Sequence, residues 1–210
     1  MKQQVRSFIA IEISSQIRNG IARYLKRHIT NENDVKWVPQ DQFHLTLKFL
    51  GDVPMNEMHQ VIAGIEKACR ETDPFDLVFE GIGAFPNDHL PRTLWVGVSE
   101  GIEESRILAE QIDLELERLG FPREPRRFTP HLTIGRVKQA GDRYPRRDRT
   151  VQEVQENSDT GLGAFLALEK EPPFFGISSV DGVTLFSSEL SRSGPKYDVL
   201  AEIDLHTVEE

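Results

Sequence analysis

The sequence predicts a mixed α and β protein built from two related halves. The first observation is a repeat: Phe43-His44-Leu45-Thr46-Leu47-Lys48-Phe49-Leu50-Gly51 returns, shortened, as Pro130-His131-Leu132-Thr133-Ile134-Gly135-Arg136-Val137. The second is that each copy follows one strand pattern and one amphipathic helix pattern, the order of a βαβ-type unit. A chain of 210 residues can bury a substantial core. No linker-like stretch divides it, so a single domain over 1–210 is expected, its halves sharing one sheet system.

The elements follow in order. Val5 to Ile13 is an apolar strand, with Phe8, Ile9, Ala10, Ile11 and Ile13 implying burial on both faces. Ser14 or Ser15 caps a helix whose apolar positions Ile17, Ile21, Tyr24, Leu25 and Ile29 keep helical spacing, and Asn31 to Asp34 end it. Val35 to Val38 lead through Pro39 into the first histidine strand. Gly51 to Pro54 read as a turn, and Met55 to Ala68 as a helix with Met58, Val61, Ile62 and Ile65 inward. Phe75, Leu77 and Phe79 alternate as a strand, Gly81 to Pro91 form a loop, and Thr93 to Val98 a strand around Trp95. A helix over Ile102 to Leu119 carries the stripe Ile107, Leu108, Ile112, Leu116 and Leu119, with Gly120 in the left-handed position that ends helices. Phe128 to Val137 is the second histidine strand. Residues 138–173 are expected to be a flexible insertion. Val180 to Leu185 and Tyr197 to Leu205 close the chain as antiparallel strands around the turn Ser191 to Pro195.

Composition narrows the function. A formal net charge of −9 argues against a surface that coats long nucleic acid, yet leaves room for a small site gripping one phosphate or one RNA end. The single Cys69 excludes an internal disulfide and multi-cysteine zinc sites, and its helical context predicts burial. No apolar run reaches a membrane span, and Arg6 and Glu12 interrupt the N-terminal apolar stretch, so a cytoplasmic protein is expected; nothing in the sequence points to an obligate oligomer, and a monomer is expected.

The repeat carries the chemistry. Strand side chains alternate between faces, so His44 and Thr46 share one face, as do His131 and Thr133. Two imidazoles and two hydroxyls converging on one pocket suit acid–base phosphoryl chemistry, because imidazole titrates near neutrality. The threonine hydroxyls can donate to phosphoryl oxygens as charge builds there. Spacing alone leaves proton donor and acceptor interchangeable. Alternation also puts Lys48 on the His44 face, in reach of a phosphate or in solvent. Arg136 falls opposite His131 unless a bulge at Gly135 turns it inward. Arg92 stands just before the Trp95 strand, where it could line the groove. Arg123, Arg126 and Arg127, with the arginines of 143–149, either hold an RNA backbone or are simply solvated. No carboxylate accompanies either histidine at ligand spacing, so neither a metal nor a cofactor is expected.

The paired His-Leu-Thr-aliphatic motifs, the Lys48-Phe49-Leu50-Gly51 and Gly135-Arg136-Val137 that follow them, and Leu185-Phe186-Ser187-Ser188-Glu189-Leu190 through Gly194-Pro195-Lys196-Tyr197 resemble the two-histidine (2H) phosphoesterases. Within that superfamily the chain is most similar to the LigT-like (ThpR) RNA 2',3'-cyclic phosphodiesterases. The resemblance implies an α+β fold, bilobal, with two pseudo-symmetric halves, each an antiparallel sheet backed by helices, and the active site in the central groove. It implies hydrolysis of RNA 2',3'-cyclic phosphate ends to 2'-phosphomonoesters, with reverse 2'-5' ligation as a further capacity. By the same resemblance His44 is the proton donor, His131 the proton acceptor, and Arg136 a phosphate or nucleotide contact. The alternatives are a nucleotide- or RNA-end-binding module without turnover, and a phosphodiesterase for a small cyclic-phosphate metabolite.

Overall fold

The computed structural model describes residues 3–29, 34–88, 90–138, 172–191 and 194–206. The expected insertion lies almost wholly outside them. The described chain runs β1 (Gln4–Glu12), α1 (Ser15–His28), β2 (Val35–Trp37), β3 (His44–Pro54), α2 (Met58–Cys69), β4 (Phe75–Phe85), β5 (Thr93–Glu100), α3 (Ile102–Glu117), β6 (His131–Val137), β7 (Phe174–Val180), β8 (Gly182–Ser191) and β9 (Gly194–Asp204), with 3₁₀ turns at Gln40–Gln42 and Met55–Glu57.

Among the described residues all strand pairs are antiparallel, in two sheets ordered β3-β1-β8-β9 and β2-β6-β5-β4-β7. The α+β class with two antiparallel sheets therefore stands. The sheets do not follow the sequence halves, however: β2 leaves the first half to flank β6, and β8 returns to pair with β1, carrying β9 on its outer edge. The changeover is at Asp181. Val180 closes β7 opposite Phe75 in the second sheet, while Gly182 opens β8 in the first. A single strand over Val180 to Leu185 is thus two strand ends, one in each sheet.

Two other boundaries move for a related reason. Gly81 to Phe85 are strand, because the left-handed Gly81 (φ 77°) belongs to an irregularity that β4 passes through and continues beyond. Gly51 likewise sits at a register shift, and β3 runs on to Pro54 opposite Gln4. Gly120 does adopt the expected left-handed conformation, at φ 90°.

One apolar cluster joins the inner faces of both sheets to the helices, through residues such as Ile9, Leu45, Ile65, Phe79, Leu116, Leu132 and Leu185. Ser14 caps α1 by accepting from the amide of Ile17 at 3.4 Å, and Tyr24 on that helix meets Phe175 of β7 edge-on at 5.5 Å. Helix α3 buries Leu108, Ile112 and Leu116, an i, i+4 stripe. Ile107 and Leu119 depart from the expected stripe and are 46% and 38% exposed. The other face of the first sheet has its own small cluster, Phe8, Ala10 and Phe186 with Tyr197 against them. That face looks into the groove.

Candidate active site

His44 opens β3 and His131 opens β6, so each sheet contributes one histidine. The pairing register shows how their neighbours are aimed. Along β1, Glu12 faces His44 and Ala10 faces Thr46, but Ile9 faces Lys48, leaving Leu47 unpaired in a bulge. Along β5, Gly97 faces His131 and Trp95 faces Thr133, but Leu94 faces Gly135 and Thr93 faces Arg136, leaving Ile134 unpaired. Both bulges fall on the aliphatic residue after the threonine. Directly opposed residues share a face, so each bulge reverses the alternation beyond it.

The reversal relocates two of the expected contacts. Lys48 shares the face of Ile9, which is core, and is itself 3% exposed. Its ammonium donates to the Asp113 carboxylate of α3 and to the Pro122 carbonyl at 2.8 Å, so its expected place on the histidine face is corrected. Arg136 turns the other way. The bulge lies at Ile134, one residue before the position expected, and brings Arg136 onto the face of His131 and Thr133. At Gly135 a side chain would lie 2.7 Å from Val35 Cγ1 and 3.0 Å from Trp37 Cε3, so β2 can cover β6 only if that residue is glycine. Arg92 is exposed and absent from the groove lining. Its backbone instead bonds Phe85 O at 2.7 Å and Val137 N at 3.0 Å, knitting strand ends together.

His44, Thr46, His131, Thr133 and Arg136 all line one groove of about 1100 Å³ between the sheets. The histidines are held alike. His44 Nδ1 bonds the carbonyl of Gln42, and His131 Nδ1 that of Thr129, each two residues back and each at 2.8 Å. A carbonyl only accepts, so Nδ1 carries the proton and Nε2 is left for chemistry. Gln42 is fixed in turn by donating from Nε2 to Pro195 O at 2.9 Å. Aromatic rings pack around each imidazole. Phe8 lies 4.9 Å from His44 and Tyr197 meets it edge-on at 5.5 Å, while Phe85 meets His131 at 5.0 Å and 88°.

This packing disfavours the charged imidazolium. Burial lowers the His44 pKa to about 4, against an opposing contribution from the Gln42 hydrogen bond, with Arg18 lowering it further. Burial also lowers that of His131, the Thr129 bond opposes, and Arg136 adds to the lowering. Arg136 acts on Tyr197 of the first sheet as well, so its charge is felt on both walls. Among the described residues no group of three or more His, Cys, Asp and Glu side chains is placed to hold a metal ion.

Sequence reading missed Phe8, Phe85 and Tyr197 as walls of the site, and Phe49, which the Leu47 bulge turns onto the His44 face at 62% exposure. Phe8 was within reach of pattern reading: it has the parity of Ala10, which faces Thr46.

A family model described as the 2'-5' RNA ligase superfamily matches residues 14–162. The chain belongs to that superfamily. Among its relatives, an Aquifex aeolicus (strain VF5) protein named RNA 2',3'-cyclic phosphodiesterase is 32% identical over 202 residues, covering 96% of this chain and 97% of its own. One of the same name from Archaeoglobus fulgidus is 40% identical over 136 residues, 64% of this chain and 73% of that one. A crystal structure from Thermus thermophilus superposes with a TM-score of 0.72 at 28% identity, covering 95% of this chain and 97% of its own. Escherichia coli LigT shares the fold, with a TM-score of 0.73 at 23% identity over 97% of this chain and 99% of its own. No helix among the described residues is long and apolar enough to cross a membrane.

Proposed function

We propose that this superfamily member hydrolyses RNA 2',3'-cyclic phosphate ends to 2'-phosphomonoesters by acid–base catalysis without a metal. The observation that carries the reading is the matched pair of imidazoles in one groove, each with Nδ1 tied to a carbonyl and Nε2 left over. The relatives named for this activity match nearly the whole chain, which favours it over a binding module.

In the proposed reaction His131 Nε2 takes a proton from water as the water oxygen bonds to phosphorus. The P–O3' bond breaks, and His44 Nε2–H delivers a proton to O3', leaving a 3'-hydroxyl and a 2'-phosphate. The division of labour is the one the family resemblance implies, since Arg136 disfavours protonation of His131 and Arg18 does the same to His44. His44, which burial makes a strong acid once protonated, gains its proton when the phosphate anion enters the groove. Thr46 and Thr133 donate to the non-bridging oxygens and Arg136 neutralises the phosphate. The reverse sequence of steps, with a ribose hydroxyl in place of water, would join RNA ends 2' to 5'.

The test is incubation with a 2',3'-cyclic mononucleotide and with a cyclic-ended oligonucleotide, each in excess EDTA. The 2'-phosphate product is expected from wild type and not from His44→Ala or His131→Ala. Undiminished turnover by either variant would reject the mechanism, and dependence on added metal would reject the metal-free chemistry. Comparing the two substrates separates an RNA end from a small cyclic metabolite.

A further inference from the structure

Eight basic and four acidic side chains line the groove among the described residues, although the chain's formal net charge is −9. Three of those basic groups, Arg123, Arg126 and Arg127, stand on the segment from Leu119 to Pro130 that joins α3 to β6. An arginine-bearing loop is ordinarily solvated surface. This one is fastened along its length. The Asp113 carboxylate accepts from Glu124 N at 2.9 Å and from the buried Lys48, which also holds Pro122 O at 2.8 Å. Phe121 N bonds Leu116 O at 3.1 Å, and Arg106 Nε bonds Phe128 O at 3.1 Å. Prolines at 122, 125 and 130 restrict it further.

Three arginines project from this fixed backbone. Arg123 meets Glu110 at 3.5 Å and Arg127 meets Glu103 at 3.6 Å, with all four side chains between 43% and 73% exposed. Such contacts are weak enough to exchange for a phosphate. Arg126 has no hydrogen-bond or ion-pair partner among the described residues. In the same groove stand two apolar side chains that the core does not use, Phe49 at 62% and Ile107 at 46% exposure. Basic groups on a rigid support, interleaved with an aromatic face, form the pattern that holds single-stranded nucleic acid.

We propose that the Arg123–Arg127 loop, with Phe49 and Ile107, is a track for the single-stranded RNA that leads into the groove from the 5' side of the terminal nucleotide. The proposal rests on the cyclic-phosphate reading of the groove and extends it from one nucleotide to several. A cyclic phosphate seated between the histidines ends a strand whose remaining phosphates all lie 5' of it, so a multi-phosphate track is of use only to an oligonucleotide. Lys48 serves the track indirectly, as the buried pin that holds the loop to α3 and β3.

The experiment measures binding and turnover separately. Binding uses a 5'-fluorescent hexaribonucleotide ending in a 2',3'-cyclic phosphate, with a cyclic mononucleotide as competitor, on the His44→Ala/His131→Ala protein so that neither probe is consumed. The hexamer is expected to bind at least tenfold more tightly than the mononucleotide. Its log–log salt slope should be about −2, the value for three phosphates at about 0.7 each. Adding Arg123→Gln, Arg126→Gln and Arg127→Gln should weaken hexamer binding at least ten times more than mononucleotide binding and flatten the salt slope, and three lysines in their place should restore much of both. A hexamer no tighter than the mononucleotide, or equal losses for both probes, overturns the track even where wild type turns over the mononucleotide. Tight, salt-sensitive, arginine-dependent hexamer binding supports the track even where no turnover is found, an outcome that would sink the catalytic reading alone.

Discussion

His44 should make the protein acid-sensitive by an amount that can be worked out. Its pKa is lowered to about 4 in the folded protein, against about 6.5 in an unfolded chain. As pH falls below 6.5 the unfolded chain takes up a proton that the folded state refuses, so this stability is present above 6.5 and is lost towards 4. Linkage gives a loss of about 2 kcal/mol on going from about pH 7.5 to about pH 5, and about 3 kcal/mol below pH 4. His131, lowered in the same direction, adds to the loss. In His44→Asn the amide nitrogen can still reach Gln42 O, but the group no longer titrates. Urea unfolding of both proteins at the two pH values gives the comparison. The wild type should lose about 2 kcal/mol more than the variant. Equal losses would mean that His44 is not held neutral by its surroundings, and the account of burial by Phe8 and Tyr197 would fall with it.

Other outcomes follow from the same contacts. Because both histidines are lowered, the maximum of kcat/KM should lie below pH 6.5, with the rate falling towards alkaline pH as the free enzyme loses the proton His44 must deliver; a maximum above pH 7.5 would contradict the assignment. Thr46→Val and Thr133→Val should each lower kcat by about 10² while KM changes little, and a change confined to KM would reduce the hydroxyls to ground-state binding. Lys48→Met strands the Asp113 carboxylate and should cost about 3–5 kcal/mol, whereas Lys48→Met with Asp113→Leu should recover most of it; denaturant titration reads both, and a mild single variant would refute the buried pair. Cys69 is fully buried and its thiol is pushed up to about 12 by burial, with Asp204 and Glu66 adding, so it should resist iodoacetamide in the native state and react on unfolding.

How far the sequence could be read depended on whether local alternation or tertiary pairing decided a residue's direction. Inside each His-x-Thr unit alternation holds, and the two histidines and two threonines face the groove as the period of two requires. Helix faces were legible for the same reason, since Ile17, Val61, Ile65, Leu108 and Ile112 follow helical spacing and are buried. Sheet membership was not. Nothing in Val35 to Trp37 says that this strand flanks β6, and only Asp181, one polar residue between apolar ones, marks where the chain changes sheets. An unbroken period of two puts Lys48 on the wrong face, and neither Leu47 nor Ile134 differs from an ordinary strand residue.

The bulges show how a repeated sequence becomes a site with two unlike walls. Both copies slip by one residue at the same place, so corresponding positions are aimed alike: the residue after the slip points to the core and the next one to the groove. What stands there differs between the copies. In β6 the inward position is Gly135, small enough for β2 to lie across it, and the groove position is Arg136, a cation beside His131. In β3 the inward position is Lys48, whose charge is consumed in pinning the arginine loop, and the groove position is Phe49, an apolar face. The same backbone device therefore puts a positive charge on one wall and an exposed aromatic surface on the other. A nucleotide has an end for each, and a symmetric pair of walls would fit it less well.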